Sequence, residues 1–347
     1  MNRLFHILLI TLFGSVQIFA QTNHYENEPD SFCLDEIIVT GTMPKENLKT
    51  IPMSISVVSE STIENRLQTS LLLLLSEEVP GLFITQRGVM GFGVANGAAG
   101  GMSIRGIGGT PTSGVLVLID GHPQYMGLMG HPLSDSYQSM MTERVEVIRG
   151  PASMLYGSNA MGGVINIITK KQKTNGRHLS AQVMYGSYNS LSTEISGGIR
   201  NNQFHANGNI GYNSSDGHRK NMEFEQINGY GNMGYDFTEN WTSFVDFNIS
   251  KTLSSNPGMI ENPMIDNDAD IVRGMASAVI ENNYQKTSGA IKFFYNYGLH
   301  DINNGYPESS ASIKSYFHSN DQMLGFSVNQ SHSFLEGNKN TIGLDFQ

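Results

Sequence analysis

Three stretches of the sequence place residues capable of chemistry at a fixed spacing. The first is "RGPASMLYGSNAMGGVINIITKK" (149–171), where four glycines stand between an arginine and an apolar run that ends in lysines. Glycine-rich turns of this kind can cradle phosphate. That chemistry needs Lys and then Ser or Thr after the last glycine, whereas Gly162 is followed by Gly163 and Val164. The second is "QYMGLMGH", in which Tyr125, Met126, Met129 and His131 share one glycine-rich stretch. Thioether and imidazole groups suit soft copper, and methionine equally packs irregular loops. The third is "DNDAD", which sets Asp266, Asp268 and Asp270 at alternate positions of what reads as a long loop. Such carboxylates could hold calcium, although the glycine and closing glutamate of an EF-hand are absent, and a solvated loop is the plainer reading. The "GFGVANG" and "GIGG" runs miss the dinucleotide spacing, and neither HExxH nor GxSxG occurs. No enzyme is expected.

The elements that must position these residues follow from composition and pattern. The 347 residues carry a formal net charge of -10, and only 15% are charged. Nucleic-acid binding needs clustered Lys and Arg, so that partner class is excluded. Glycine (38), Phe (17) and Tyr (14) beside one Trp favour strands and turns over helical bundles. Cys33 is the only cysteine, so no intrachain disulfide and no cysteine metal cluster can form. Residues 1–20 read as an export signal: Arg3, then the apolar "ILLITLFGSVQIF", then Ala20 before the cut at Gln21. The apolar stretch is short for a spanning helix, and "LLLLL" at 71–75 is shorter still. Any membrane crossing must therefore use strands.

Residues 21–43 form a polar leader, read as disordered, that contains the β-prone island "EIIVTGT". Residues 44–171 read as one α+β domain. "SISVVSE" is expected as a strand, and "STIENRL" and "TSLLLLLSEEVPG" as short helices. "GMSIRGIG", "GVLVLIDG", "ERVEVIRG" and "GVINIITK" are expected as glycine-bounded strands. Glu143, Arg144, Glu146 and Arg149 alternate with Val145, Val147 and Ile148, which predicts a charged face. Beyond residue 178 the period becomes two: in 241–249 Trp, Ser, Val, Phe and Ile alternate with Thr, Phe, Asp and Asn. Polar segments such as "NSSDGHRKNMEFEQ" and "SSNPGMIENPMIDNDAD" read as loops between such strands. Alternation over roughly ten residues, with short turns and long loops, predicts a transmembrane barrel over 178–347. About ten strands are expected, too few to enclose a domain as large as 44–171, since ~22-stranded barrels are the ones with a plugged lumen. The expected fold is an α+β plug domain followed by an antiparallel transmembrane β-barrel that is incomplete, the N-terminal half of a ~22-stranded barrel.

The stretches "DEIIVTGT", "SIRGIG", "GVLVLIDG" and, most specifically, "ERVEVIRGPASMLYGSNAMGGVINIITKK" resemble the leader and plug of TonB-dependent outer-membrane transporters. The part after the plug is similar to that family's barrel by pattern more than by motif. The resemblance implies residence in the outer membrane, in contact with its lipid, and import of a scarce, bulky metal chelate or cofactor. A ferric siderophore is the default, with cobalamin, haem or a copper species behind it. It also implies that Glu36, Ile37, Ile38, Val39 and Thr40 are a TonB box, bound in the periplasm by the TonB energy-coupling protein through strand addition; a fixed strand of the plug is the alternative. By the same resemblance Arg105 and Arg149 would pair with barrel carboxylates and lock the plug, with Glu143, Arg144 and Glu146 on the same charged face. Plug segments 86–101, 108–114 and 122–138 would form the floor of the ligand site, with Tyr125, Met126, Met129 and His131 facing the ligand. No cofactor is expected beyond calcium at Asp266, Asp268 and Asp270 in an extracellular loop. The rival is a truncated outer-membrane ligand-binding or docking protein without transport.

Overall fold

The computed structural model describes residues 53–85, 90, 100–109, 114–124, 132–312, 315–335, 338 and 340–347. Two small sheets and their helices come first. The larger has the order β1-β7-β8-β5-β6, from β1 (Ile55–Val58), β5 (Val115–Ile119), β6 (His122–Pro123), β7 (Thr142–Arg149) and β8 (Gly163–Thr169). Its central pair β5–β8 is parallel, and every residue of both strands is buried. Strands covered on both faces read as unbroken apolar runs, so "VLVLI" and "GVINIIT" are legible through their bounding glycines rather than by alternation.

Two helices cover one face. Glu60–Arg66 starts at Ser59, whose hydroxyl accepts from the Thr62 N–H at 3.2 Å, a standard N-cap. Leu71–Glu78 ends two residues before Pro80, and Leu71, Leu72, Leu74 and Leu75 are buried. These leucines pack with Val117, Ile119, Val145, Val147, Ile165 and Ile167. On the opposite face Leu116, Leu118, Ile148 and Val164 pack with Ala152 and Ala160.

The smaller sheet joins β2 (Leu82–Ile84), β3 (Met102–Ile104) and β4 (Ile107–Gly109). The sequence predicts one strand over "SIRGIG", but it is a hairpin: Ile104 pairs with Ile107 around Arg105 (φ 51) and Gly106 (φ 82). Two successive left-handed residues make the turn that suits a two-residue hairpin. The glycines after "RGPASMLY" have a steric role. Gly163 has φ 157, and a Cβ there would land on the Ile148 carbonyl oxygen; a Cβ on Gly162 would lie 2.9 Å from the Ile107 carbonyl oxygen. The backbones pass too closely for any side chain.

Nine further strands form one antiparallel meander in strict chain order: β9 (Gly176–Gly186), β10 (Ser190–Asn201), β11 (Phe204–Ser215), β12 (Phe224–Asp236), β13 (Trp241–Ser255), β14 (Met264–Asn283), β15 (Thr287–Pro307), β16 (Tyr316–His332) and β17 (Asn340–Phe346). This wall is an open barrel-like sheet, with β9 and β17 at its two edges. Its polarity is the reverse of a water-soluble protein's. On β13 the apolar Val245, Phe247 and Ile249 are exposed, while Asp246, Ser250 and Thr252 are buried. The inner side is covered by the plug, and the outer side carries an apolar band such as lipid requires. Turns at the end where the chain leaves the plug are short (202–203, 237–240, 284–286). There Trp241 Nε1 donates to Tyr284 Oη at 2.7 Å on the outer surface.

Two polar segments expected as loops are strand in part, with 216–223 and 256–263 left between strands. "NSSDGHRKNMEFEQ" contributes to the ends of β11 and β12, and "DNDAD" lies inside β14. Strands β14 and β15 run for 20 and 21 residues, roughly twice what the apolar band needs. Above the band the outer face can be polar, so Asp268 and Asp270 point outward from paired strand positions, while Asp266 (φ 51) stands outward at an irregularity where the register with β15 skips it. Asp270 pairs with Lys251 at 3.2 Å. Alternate residues of a strand stand about 7 Å apart, so these three side chains are spread along the wall instead of folded into a calcium loop. Among the described residues no three His, Cys, Asp or Glu groups are clustered as for a metal ion.

Candidate functional site

Residues 36–40 and 125–131 lie outside the described residues, which removes Glu36, Ile37, Ile38, Val39, Thr40, Tyr125, Met126, Met129 and His131 from view. The five residues of the expected lock are described, and they separate into two groups. Arg105 and Arg149 come together where the chain enters β1. The Arg105 guanidinium donates to Ser54 Oγ at 3.1 Å, and the Arg149 N–H donates to the Ser54 carbonyl at 2.8 Å. The Arg105 N–H also donates to the Gly81 carbonyl, next to Pro80, whose carbonyl accepts from Arg149.

Glu143, Arg144 and Glu146 form the second group, on β7. Arg144 bridges Glu143 (2.9 Å) and the buried Glu146 (3.1 Å), and Glu143 also takes Lys173 at 2.8 Å. The pairs described for this group are thus with the plug and with the linker that leaves it. At the base, Lys170 joins Glu60 (3.4 Å) and Glu64 (2.7 Å) of the first helix, and Arg66 pairs with Glu77 and Glu78 of the second. Burial draws the Lys170 ammonium down, but the bond and charge of Glu64, then those of Glu60, outweigh it and leave the group raised.

Other residues make described hydrogen bonds between plug and wall. The turn between β5 and β6 is Asp120-Gly121, with Asp120 at φ 46. Its carboxylate accepts from the Thr169 N–H (3.2 Å) and Oγ1 (2.5 Å), and Gly121 N–H donates to Asn166 Oδ1 (3.2 Å). The turn is thereby bound to the end of β8. From the wall, Lys292 Nζ donates to the Asp120 carbonyl at 3.1 Å and Asn296 Nδ2 to the Pro123 carbonyl at 2.8 Å. Further along, Gln138 Nε2 donates to Gln226 Oε1 (3.0 Å), whose amide donates to the Asp135 carbonyl (2.7 Å). Where the plug ends, three successive residues are held: Lys170 by Asn207 at its carbonyl (3.1 Å), Lys171 over the Phe244 ring (3.4 Å), and Gln172 by Arg200 at its carbonyl (3.2 Å).

His122 follows this turn. It is buried, its ring lies 5.4 Å from that of Phe294, and Nε2 has no hydrogen-bond partner. Burial holds its imidazole well below the ordinary value of 6.5, with the charges of Lys292 and Lys171 acting in the same direction. Burial likewise raises the Tyr137 phenol above its usual range. Met102 is packed in the plug core, so the packing role of methionine holds there.

Sequence reasoning gave no role to Asp120, Lys171, Asp246 and Lys292, and had His122 and Gln138 only within the expected ligand-floor segment 122–138. One signal was present. At inward positions where neighbouring strands carry Asn, Ser and Thr, "VDF" and "IKF" place full charges, and a charge on the buried face of a strand needs a partner.

Residues 47–164 match the TonB-dependent receptor plug domain. The fold resembles the alcaligin outer-membrane receptor FauA from Bordetella pertussis, with a TM-score of 0.69 at 15% identity, covering 89% of this chain and 49% of that one. It also resembles FpvA of P. aeruginosa, solved with a bound pyoverdine–iron complex (TM-score 0.70, 14% identity, 89% of this chain and 43% of that one). A third likeness is to the copper transporter OprC (TM-score 0.69, 15% identity, 84% and 44%). The chain spans about half the length of these solved relatives.

Proposed function

We propose that this chain, whose residues 47–164 match the TonB-dependent receptor plug domain, is a TonB-dependent receptor that serves TonB-coupled import of a scarce, bulky nutrient across the outer membrane. The observation that carries this reading is the plug domain seated by hydrogen bonds on the polar face of a sheet whose other face is apolar. A folded domain on the lumen side blocks passive flow, so passage requires the plug to move. Among the solved relatives one is named as an alcaligin receptor, one holds a pyoverdine–iron complex and one is a copper transporter, which favours a ferric siderophore and keeps copper as the second choice. Residues 36–40 serve as the TonB box: an apolar, β-prone stretch of the sequence ahead of β1 adds as a strand to the energy-coupling protein. Force then enters at Ser54, where Arg105 and Arg149 converge.

Deletion of residues 36–40 tests the mechanism with radiolabelled iron–siderophore complexes on intact cells. The expected result is loss of uptake with surface binding retained. Unchanged uptake would refute the mechanism, and binding without uptake in the parent protein would establish the rival, capture without transport.

A further inference from the structure

We propose that Asp120 and Lys171 of the plug and Asp246 and Lys292 of the wall form a reciprocal charge seat that fixes the plug against β13, β14 and β15. Each side contributes one acid and one base. Asp120, Asp246 and Lys292 are 5%, 2% and 6% exposed, so none can rely on solvent for compensation, and a buried charge persists only with a partner.

The registers bring the wall groups together. Asn232, Asp246, Ser277 and Phe294 are successive cross-strand partners on one level, and Phe244, Val279 and Lys292 are partners on the next. Lys292 Nζ reaches the Asp120 carbonyl at 3.1 Å, and the Asp120 carboxylate is fixed by Thr169. Lys171 lies 3.4 Å over Phe244, two residues from Asp246 and within electrostatic reach of it. Asp246 takes Ser277 Oγ at 2.6 Å on one oxygen, and its other oxygen has no hydrogen-bond partner.

Elsewhere in the wall Arg273 and Asp321, an acid and a base of the same sheet, bind each other at 2.7 Å. Asp246 and Lys292 also meet plug charges: Lys292 that of Asp120, and Asp246 those of Asp120 and Lys171. They stand two strands apart, about 10 Å by strand spacing, which a lysine side chain can close. The seat is therefore balanced with the plug home, and the wall can balance its own charges with the plug displaced. That property lets a plug leave and return.

The inference rests on the reading that the plug moves, and its test does not depend on transport. In the full-length protein in its own outer membrane, Ser139→Cys in a Cys33→Ser background reports exposure of the plug–wall seam by maleimide labelling. Lys292→Met is expected to label about tenfold faster than the parent, and Lys292→Arg close to the parent rate. Asp246→Asn and Lys171→Met are each expected to speed labelling, and together by less than the product of the two. If Lys292→Met is not recovered in the membrane, the Asp246→Asn and Lys171→Met cycle decides alone. A Lys292→Met rate equal to the parent's, or effects of Asp246→Asn and Lys171→Met that simply multiply, would overturn the seat. Uptake plays no part in the readout, so a receptor that fails to import can still show the seat.

Discussion

The plug and the wall obey one rule and show opposite surfaces. In the plug, β5 and β8 are apolar on both faces because protein covers both. In the wall, β13 sets Val245, Phe247 and Ile249 outward and Asp246, Ser250 and Thr252 inward, an outer face suited to lipid around a polar plug surface. Apolar side chains go wherever water is excluded. What differs is the place of that exclusion: the middle of the plug, and the perimeter of the wall. The same substitution must therefore have different consequences in the two regions.

The largest contrast is in large-to-small changes. Leu74→Ala in the plug core is expected to cost about 2–5 kcal/mol, whereas Val245→Ala on the outer face of the wall loses only lipid contact. Urea titration of the refolded receptor checks this, with both variants followed by the same probe. A change of polarity should reverse the order. Val245→Arg is expected to cost about 2–4 kcal/mol because it places a charge in the apolar band, read as reduced refolding into lipid vesicles. On an exposed plug site such as Asn65 the same residue should be nearly silent.

A third contrast is in pH. His122 is held neutral in the folded plug, with its value well below 6.5, while the unfolded chain takes up a proton as pH falls through 6.5. Its contribution is therefore complete above about pH 6.5 and is lost as pH falls toward the depressed folded value, by about 1.4 kcal/mol per unit. Thermal unfolding of the plug between pH 7.5 and 5.5 should show this slope, and His122→Gln should flatten it. The smallest effect is local: Ser59→Ala removes a helix cap and is expected to cost about 1 kcal/mol, visible as faster amide exchange confined to the helix Glu60–Arg66.

Legibility in the sequence differed between the regions for physical reasons. The plug strands could be read because glycines at 114, 150, 157 and 163 bound them where the backbone takes φ values that other residues avoid. The "SIRGIG" hairpin was missed because its turn uses Arg105, a non-glycine residue in the left-handed region. The wall was legible by alternation as far as the apolar band extends. Above it, Asp268 and Asp270 are paired strand residues with an exposed outward face, and composition there is that of a loop. The plug–wall contacts were the least legible. Lys292 and Asp120 lie 172 positions apart, and only the registers of the wall strands bring them to one level.

The order of strands in the two regions also sets when each can form. The wall joins every strand to its chain neighbour, so each hairpin can close as soon as it exists. The plug sheet pairs Ile55 with Ile148 and Val115 with Gly163, long loops whose closure is slow. A chain built this way is expected to complete its plug late, against a wall already in place. The seat on β13–β15 then acts as a template for the plug's folding as well as its anchor.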